Sequence, residues 1–161
     1  MRTKARALLL LVALLATAAC GDTPGGSPGG GGPGVRDRPT KDPANAEVDE
    51  AAEVLLKDAL RAANAYYFDG DDSYEGFDAA AAAEIDAETT WLDGTDPAEV
   101  GQVSITDATK TNVHLVTKSE SGLYFCLRNL NQFGRGEFLT GYGAAFADVD
   151  ESGDCIGEGG N

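Results

Sequence analysis

The sequence predicts an α+β domain: one long N-terminal helix packed on a four-stranded antiparallel sheet, over residues 45–161. Three observations carry that expectation. Apolar residues recur every three or four positions between 46 and 67, they alternate with polar ones in four short runs after 102, and a Gly/Pro-rich stretch separates both from the start of the chain. About 115 residues are enough for a single hydrophobic core and too few for two.

The chain opens with Arg2, Lys4 and Arg6 ahead of an apolar run from Ala7 to Leu15. That run falls far short of the roughly 20 residues a membrane-spanning helix needs, so it reads as the core of a signal peptide over residues 1–19. Thr17, Ala18 and Ala19 directly before Cys20 and Gly21 resemble the lipobox of bacterial lipoproteins. The resemblance implies a diacylglyceryl group on the Cys20 thiol, cleavage before it, and acyl chains such as palmitate holding the protein to the extracytoplasmic face of the cell membrane. Two or more chains on one cysteine suffice for stable attachment, where one gives only marginal binding. Without the resemblance, the same residues are an ordinary small-residue cleavage site that leaves Cys20 as an odd thiol.

Removing residues 1–19 leaves 9 basic against 27 acidic side chains, a net charge of −18. Such a balance repels phosphate backbones and anionic headgroups, which argues against nucleic acid as a partner and leaves lipid on Cys20 as the membrane contact. Residues 20–44 hold a Gly/Pro/Ser run and then Val35-Arg36-Asp37-Arg38-Pro39. Burial there cannot offset a backbone ordering cost of about 1–2 kcal/mol per residue, so the segment reads as a tether. A coil of about 25 residues reaches roughly 25–30 Å.

Val48, Ala52, Leu55, Ala59, Ala62 and Tyr66 line one face of the expected helix. Glu47, Asp49, Glu50 and Glu53 sit at its start, where the helix dipole favours negative charge. Glu53 and Lys57 form an opposite-charge pair at helical spacing, and Phe68-Asp69-Gly70 is the stop signal. Phe77 to Asp86 predict a short second helix on alanine propensity. The alternating runs are Val103/Ile105, Val113/Leu115/Thr117, Leu123/Phe125/Leu127 and Phe138/Thr140/Tyr142. Lys118 to Gly122 is a hairpin connection in which Gly122 can take positive φ. A helix laid on such a sheet is expected to bury one face of it.

This order of parts resembles the head domain of type IV pilins and pseudopilins of the actinobacterial type. The carrying residues are Leu56 to Tyr67, with its Tyr pair and following Asp-Gly loop, then Ser73-Tyr74, the Ala-rich helix, Thr90-Trp91-Leu92-Asp93-Gly94, the hairpin and the late cysteines. The resemblance covers about 110 residues and implies a pilin-like head acting without catalysis alongside envelope, pilus or secretion proteins. It departs from the family where the apolar first half of the pilin helix is replaced by lipobox and tether, so packing into a pilus shaft is not implied. A cystatin-like or nuclear-transport-factor-like cone, which would bind a ligand or act as a small hydrolase, has the same element order.

Cys126 and Cys155 remain in the folded part, in an oxidising compartment, and are expected to pair; pilin heads carry a comparable C-terminal disulfide. Asp148, Asp150, Ser152 and Asp154 place oxygens at alternate positions around Gly153, the opening spacing of a calcium loop, but the twelfth position is Gly159 instead of Glu. The resemblance adds that major pseudopilins hold calcium in a C-terminal loop, so calcium is the one cofactor the sequence suggests. Asp69, Asp71, Asp72 and Glu75 form a second acidic loop with weaker spacing. His114, the sole histidine, alternates with Val113 and Leu115 and is expected on the opposite strand face, at the surface or half-buried. With no nucleophile elbow, phosphate loop, dinucleotide fingerprint or two-His zinc pattern, no catalytic residue is assigned. Trp91 is expected as a core anchor, and Tyr66, Tyr67 and Phe68 as packing between helix and sheet.

Overall fold

The long helix α1 runs Ala46–Asp69 and stops at Gly70, in a computed structural model that describes residues 39–132, 135–151, 153 and 155. No helix of the described residues is long and apolar enough to cross a membrane. A single 3-10 turn, Pro43–Asn45, leads into α1, started by Asp42, whose side chain accepts from the Ala44 N–H at 2.9 Å. The buried stripe is Asp49, Ala52, Leu56, Ala59, Ala62, Ala63 and Tyr67, rotated by about one residue from the stripe expected from spacing. Val48 and Leu55 therefore fall on the flank, both half-buried, with Leu55 packed against the edge of the main core. Alanine on the stripe lets the helix backbone come close to the sheet, and Ala59 and Ala63 are completely buried there.

Helix α2, Ala79–Ile85, is short and is held at its start by two carboxylates. Asp78 accepts from the Ala81 N–H at 2.9 Å and Asp93 from the Ala79 N–H at 2.7 Å, satisfying donors that a helix start leaves open.

Five strands form one sheet in the order β1-β2-β3-β4-β5: Thr90–Asp93, Gln102–Ala108, Asn112–Lys118, Tyr124–Gln132 and Arg135–Gly143. The last four pair antiparallel, as their alternation predicts, and β1 adds a parallel edge on β2, with Trp91 opposite Val103. The sheet is thus mixed and five-stranded, not four-stranded and antiparallel. Four residues are too few to register as an alternating run, which is why β1 is invisible to periodicity. Gly122 takes φ +88° in the β3–β4 turn, closed by a 3.0 Å bond from its N–H to the Ser119 carbonyl. At β2 the register slips between Ile105 and Asp107, a bulge that gives Thr106 a place of its own.

The main core lies between α1, α2 and one sheet face, where Leu56, Phe77, Trp91, Val103, Val113, Leu115, Phe125 and Leu127 meet. Trp91 is the anchor expected, its Nε1 donating to the Asp86 carbonyl at 2.9 Å. Tyr67 packs on Tyr74 at 4.6 Å between ring centroids, and Tyr66 on Phe77 at 5.3 Å. Phe68 departs from expectation: it is 71% exposed, because it falls beyond the end of the stripe. A second, smaller core occupies the other sheet face, where Val116, Tyr124 and Cys126 lie beneath Val149 and Cys155, with Phe146 at the edge. Consequently residues 112–117 of β3 are buried on both sides, in place of the single buried face expected.

Candidate functional site

The second core is formed because the chain, after β5, turns back over the sheet face remote from α1. Gly143 makes the turn possible: a Cβ there would stand 2.5 Å from the Asp148 Cβ. The 3-10 turn Phe146–Asp148 follows, with the Asp148 N–H donating to the Ala145 carbonyl and the Asp148 carboxylate accepting from the Ala145 N–H, both at 3.0 Å. Val149 then enters the core, and Cys155 reaches the middle of β4, where its sulfur stands at disulfide distance from that of Cys126, with the Cα atoms 5.9 Å apart.

Beneath this loop lies His114. It points away from α1, as alternation predicts, but it is completely buried and not at the surface. Sequence gives the side of the strand and nothing of what covers it. Its Nδ1 shares a 2.5 Å hydrogen bond with the Thr106 hydroxyl on the neighbouring bulge. Arg128 is its cross-strand partner on β4, and the Arg128 Nε donates to Asn112 Oδ1 at 2.7 Å while the Asn112 amide donates to Asp107. Burial, and next the positive charge of Arg128, push the His114 pKa down to about 4, so the ring is neutral at physiological pH. The Asp150 carbonyl lies close enough to favour the charged ring slightly. It does not reach hydrogen-bond geometry, and Nε2 has no partner among the described residues. A ring nitrogen of His114 and the sulfurs of Cys126 and Cys155 all lie within 4.8 Å of one another.

A second polar cluster joins the start of α1 to the β3–β4 hairpin. Asp49 Oδ1 accepts from the Ser119 hydroxyl at 2.7 Å and from the Ser121 hydroxyl at 2.6 Å, with Asp49 itself only 3% exposed. Ser119 and Ser121 in turn accept from the N–H groups of Ser121 and Leu123, which holds the turn in shape. Nearby, the Lys41 ammonium lies 3.0 Å from Glu53 and over the rings of Tyr142 and Phe125, at 4.6 and 5.0 Å from their centroids. The chain is thereby clasped to the seam between helix and sheet just before α1 begins.

Cys20 lies outside the described residues, as do Ser152 and Asp154 of the expected calcium set. Of the remaining two, Asp148 has one carboxylate oxygen committed to the Ala145 N–H, and Asp150 is half-buried at the rim of the second core. The acidic loop at Asp69, Asp71, Asp72 and Glu75 is exposed, with Asp71 and Asp72 both at positive φ. Two hollows flank α1 near its start, one of about 320 Å³ bordered by Asp42, Asp49, Glu50 and Glu53, the other of about 210 Å³ bordered by Val48, Ala52, Leu55 and Val100. Neither includes His114.

The grouping of His114 with the two cysteines and the Asp49 cluster both escape sequence reasoning. A buried-strand histidine on the same face as a cysteine of the next strand was the available signal for the first. For the second there was none, since Asp49 and Ser119 are 70 residues apart. Compared with protein-family models, curated proteins and solved structures, the chain matches none.

Proposed function

We propose that the chain is a membrane-anchored lipoprotein of the cell envelope, held by lipid on Cys20, whose pilin-like head has a non-enzymatic structural or protein-binding role. The observation that carries this reading is the closure of the last loop onto β4 by Cys126 and Cys155, on the sheet face opposite α1. A helix leading into an antiparallel ladder, with the C-terminal loop pinned across it, is the arrangement that the resemblance to pilin heads implies. The clasp of Lys41 on Glu53, Tyr142 and Phe125 supports the same reading, because a pull arriving along a tether would meet the folded head at the helix–sheet seam. Partners on this reading are other envelope, pilus or secretion proteins; calcium in the loop of Asp148, Asp150, Ser152 and Asp154 belongs to the same resemblance.

The test has two parts. In the native cells, Cys20→Ala is expected to abolish incorporation of labelled fatty acid and to release the head from the membrane fraction; wild-type protein that takes up no label overturns the anchor. Cross-linking of the tagged wild-type protein, read by mass spectrometry, is expected to recover pilus or secretion components. Recovery of none of them against an untagged control overturns the pilin-like role.

A further inference from the structure

We propose that the second core contains a redox-gated site for copper(I), in which His114 supplies one imidazole nitrogen and Cys126 and Cys155 supply two thiolates once their disulfide is reduced. The three donors come from three separate elements, and the fold brings one atom of each within 4.8 Å of the others. Donor atoms about 2.0–2.3 Å from a common ion stand roughly 3.5–4 Å from each other, so the imidazole is already in reach and only the sulfurs need to part. Two of the donors are fixed independently of the disulfide. His114 and Cys126 sit on paired strands, Val116 opposite Cys126 and His114 opposite Arg128, and the backbone ladder holds them on one face. Only Cys155, carried by the loop, has to move. Its sulfur lies 3.4 Å from the Leu139 carbonyl, an acceptor for the S–H of the reduced form.

The surroundings select the ion. His114 Nδ1 is oriented by the Thr106 hydroxyl in a bond whose direction follows the ring tautomer; in the tautomer that donates from Nδ1, the lone pair resides on Nε2, the buried atom that has no partner among the described residues. Two thiolates and an imidazole buried among Val116, Tyr124 and Val149 suit a soft cation content with three ligands, whereas zinc asks for a fourth. A copper(I) ion with two thiolates carries a net negative charge, and the Arg128 guanidinium across the strand pair offsets it. The reductant is a dithiol: it transfers two electrons and two protons to the Cys126–Cys155 bond, becoming a disulfide itself, and copper(I) then displaces the two thiol protons to solvent.

The experiment is anaerobic titration of the purified chain, reduced by a dithiol and desalted, with copper(I) alone in competition with a chromophoric copper(I) chelator. One equivalent is expected to bind the reduced chain and none the oxidised chain. His114→Ala is expected to weaken binding at least tenfold, and the C126S/C155S variant to abolish it. Because a variant can disturb the core, X-ray absorption on copper-loaded wild-type protein serves as the second reading, with two sulfurs and one imidazole expected around the ion. Equal affinity in His114→Ala, a shell without imidazole, preferential capture of zinc, or no stoichiometric uptake by the reduced wild type would each overturn the site.

Discussion

Replacing both Cys126 and Cys155 by alanine removes a cross-link spanning 29 positions. On the loop-closure model, a bridge over about 30 residues lowers the entropy of the unfolded chain by roughly 12 cal/mol/K, or about 3.5 kcal/mol at 25 °C. A domain of about 115 residues has an unfolding entropy near 0.24 kcal/mol/K, so the melting temperature is expected to fall by about 15 °C. The folded side of the balance changes less. Val149 and Phe146 still have Val116 and Tyr124 to pack on, and the β3–β4–β5 ladder does not depend on the sulfurs. With native stabilities commonly about 5–15 kcal/mol, the variant is expected to stay folded. Urea unfolding of wild type and variant, followed by far-ultraviolet circular dichroism, measures the difference. Since the effect acts on the unfolded ensemble, the denaturant slope is also expected to rise, as a chain freed of its cross-link exposes more surface. A loss below about 1 kcal/mol with an unchanged slope would refute the reasoning, and so would a variant with no cooperative transition.

Protonation of His114 supplies a second test. Its pKa is about 4 in the folded chain against about 6.5 unfolded, so the unfolded state binds the proton first. The neutral ring's contribution is complete above pH 6.5 and is lost as the pH falls towards 4, for a total of about 3 kcal/mol. Wild type is expected to show this decline in urea midpoints between those pH values, and His114→Gln to show less than half of it; identical profiles refute the assignment. Asp49→Ala strips the Ser119 and Ser121 hydroxyls of a charged acceptor in a buried position, a loss of about 2 kcal/mol. Asp49→Asn keeps one oxygen and is expected to cost less, and a neutral Asp49→Ala in chemical denaturation contradicts the cluster's role. Asp148→Ala leaves the Ala145 N–H without its acceptor and is expected to lower stability by about 1 kcal/mol. Joined with Asp150→Ala and melted in calcium and in a chelator, it distinguishes two roles for the loop: an equal loss in both marks Asp148 as a cap, and a loss confined to calcium marks a metal site.

Local pattern accounts for much of this architecture. The stop at Gly70, the alanine-rich helix α2, the four alternating strands and the turn at Gly122 each follow from residues within a few positions of one another. The outward direction of His114 from the main core followed from the same period of two. What escaped has a common cause. Strand β1 is too short to show a period, and its pairing with β2 depends on Trp91 finding the core beside Phe77, 5.9 Å between ring centroids. The burial of Asp49 depends on two serines 70 and 72 residues away. Asn64, Tyr74 and Asn129 form another such network, with the Tyr74 hydroxyl donating to Asn64 at 2.8 Å and Asn129 donating to Tyr74 at 2.7 Å.

The sequence by itself therefore determined the class of the fold, the positions of its helices and antiparallel strands, and the cysteines that close it, because propensity, period and turn chemistry act between near neighbours. Only the tertiary structure decided that the last loop folds back over the far sheet face, making a half-exposed strand into a doubly buried one and setting His114 beside Cys126 and Cys155. Alternation states which way a side chain points; what it meets there depends on where a distant segment of the chain comes to rest.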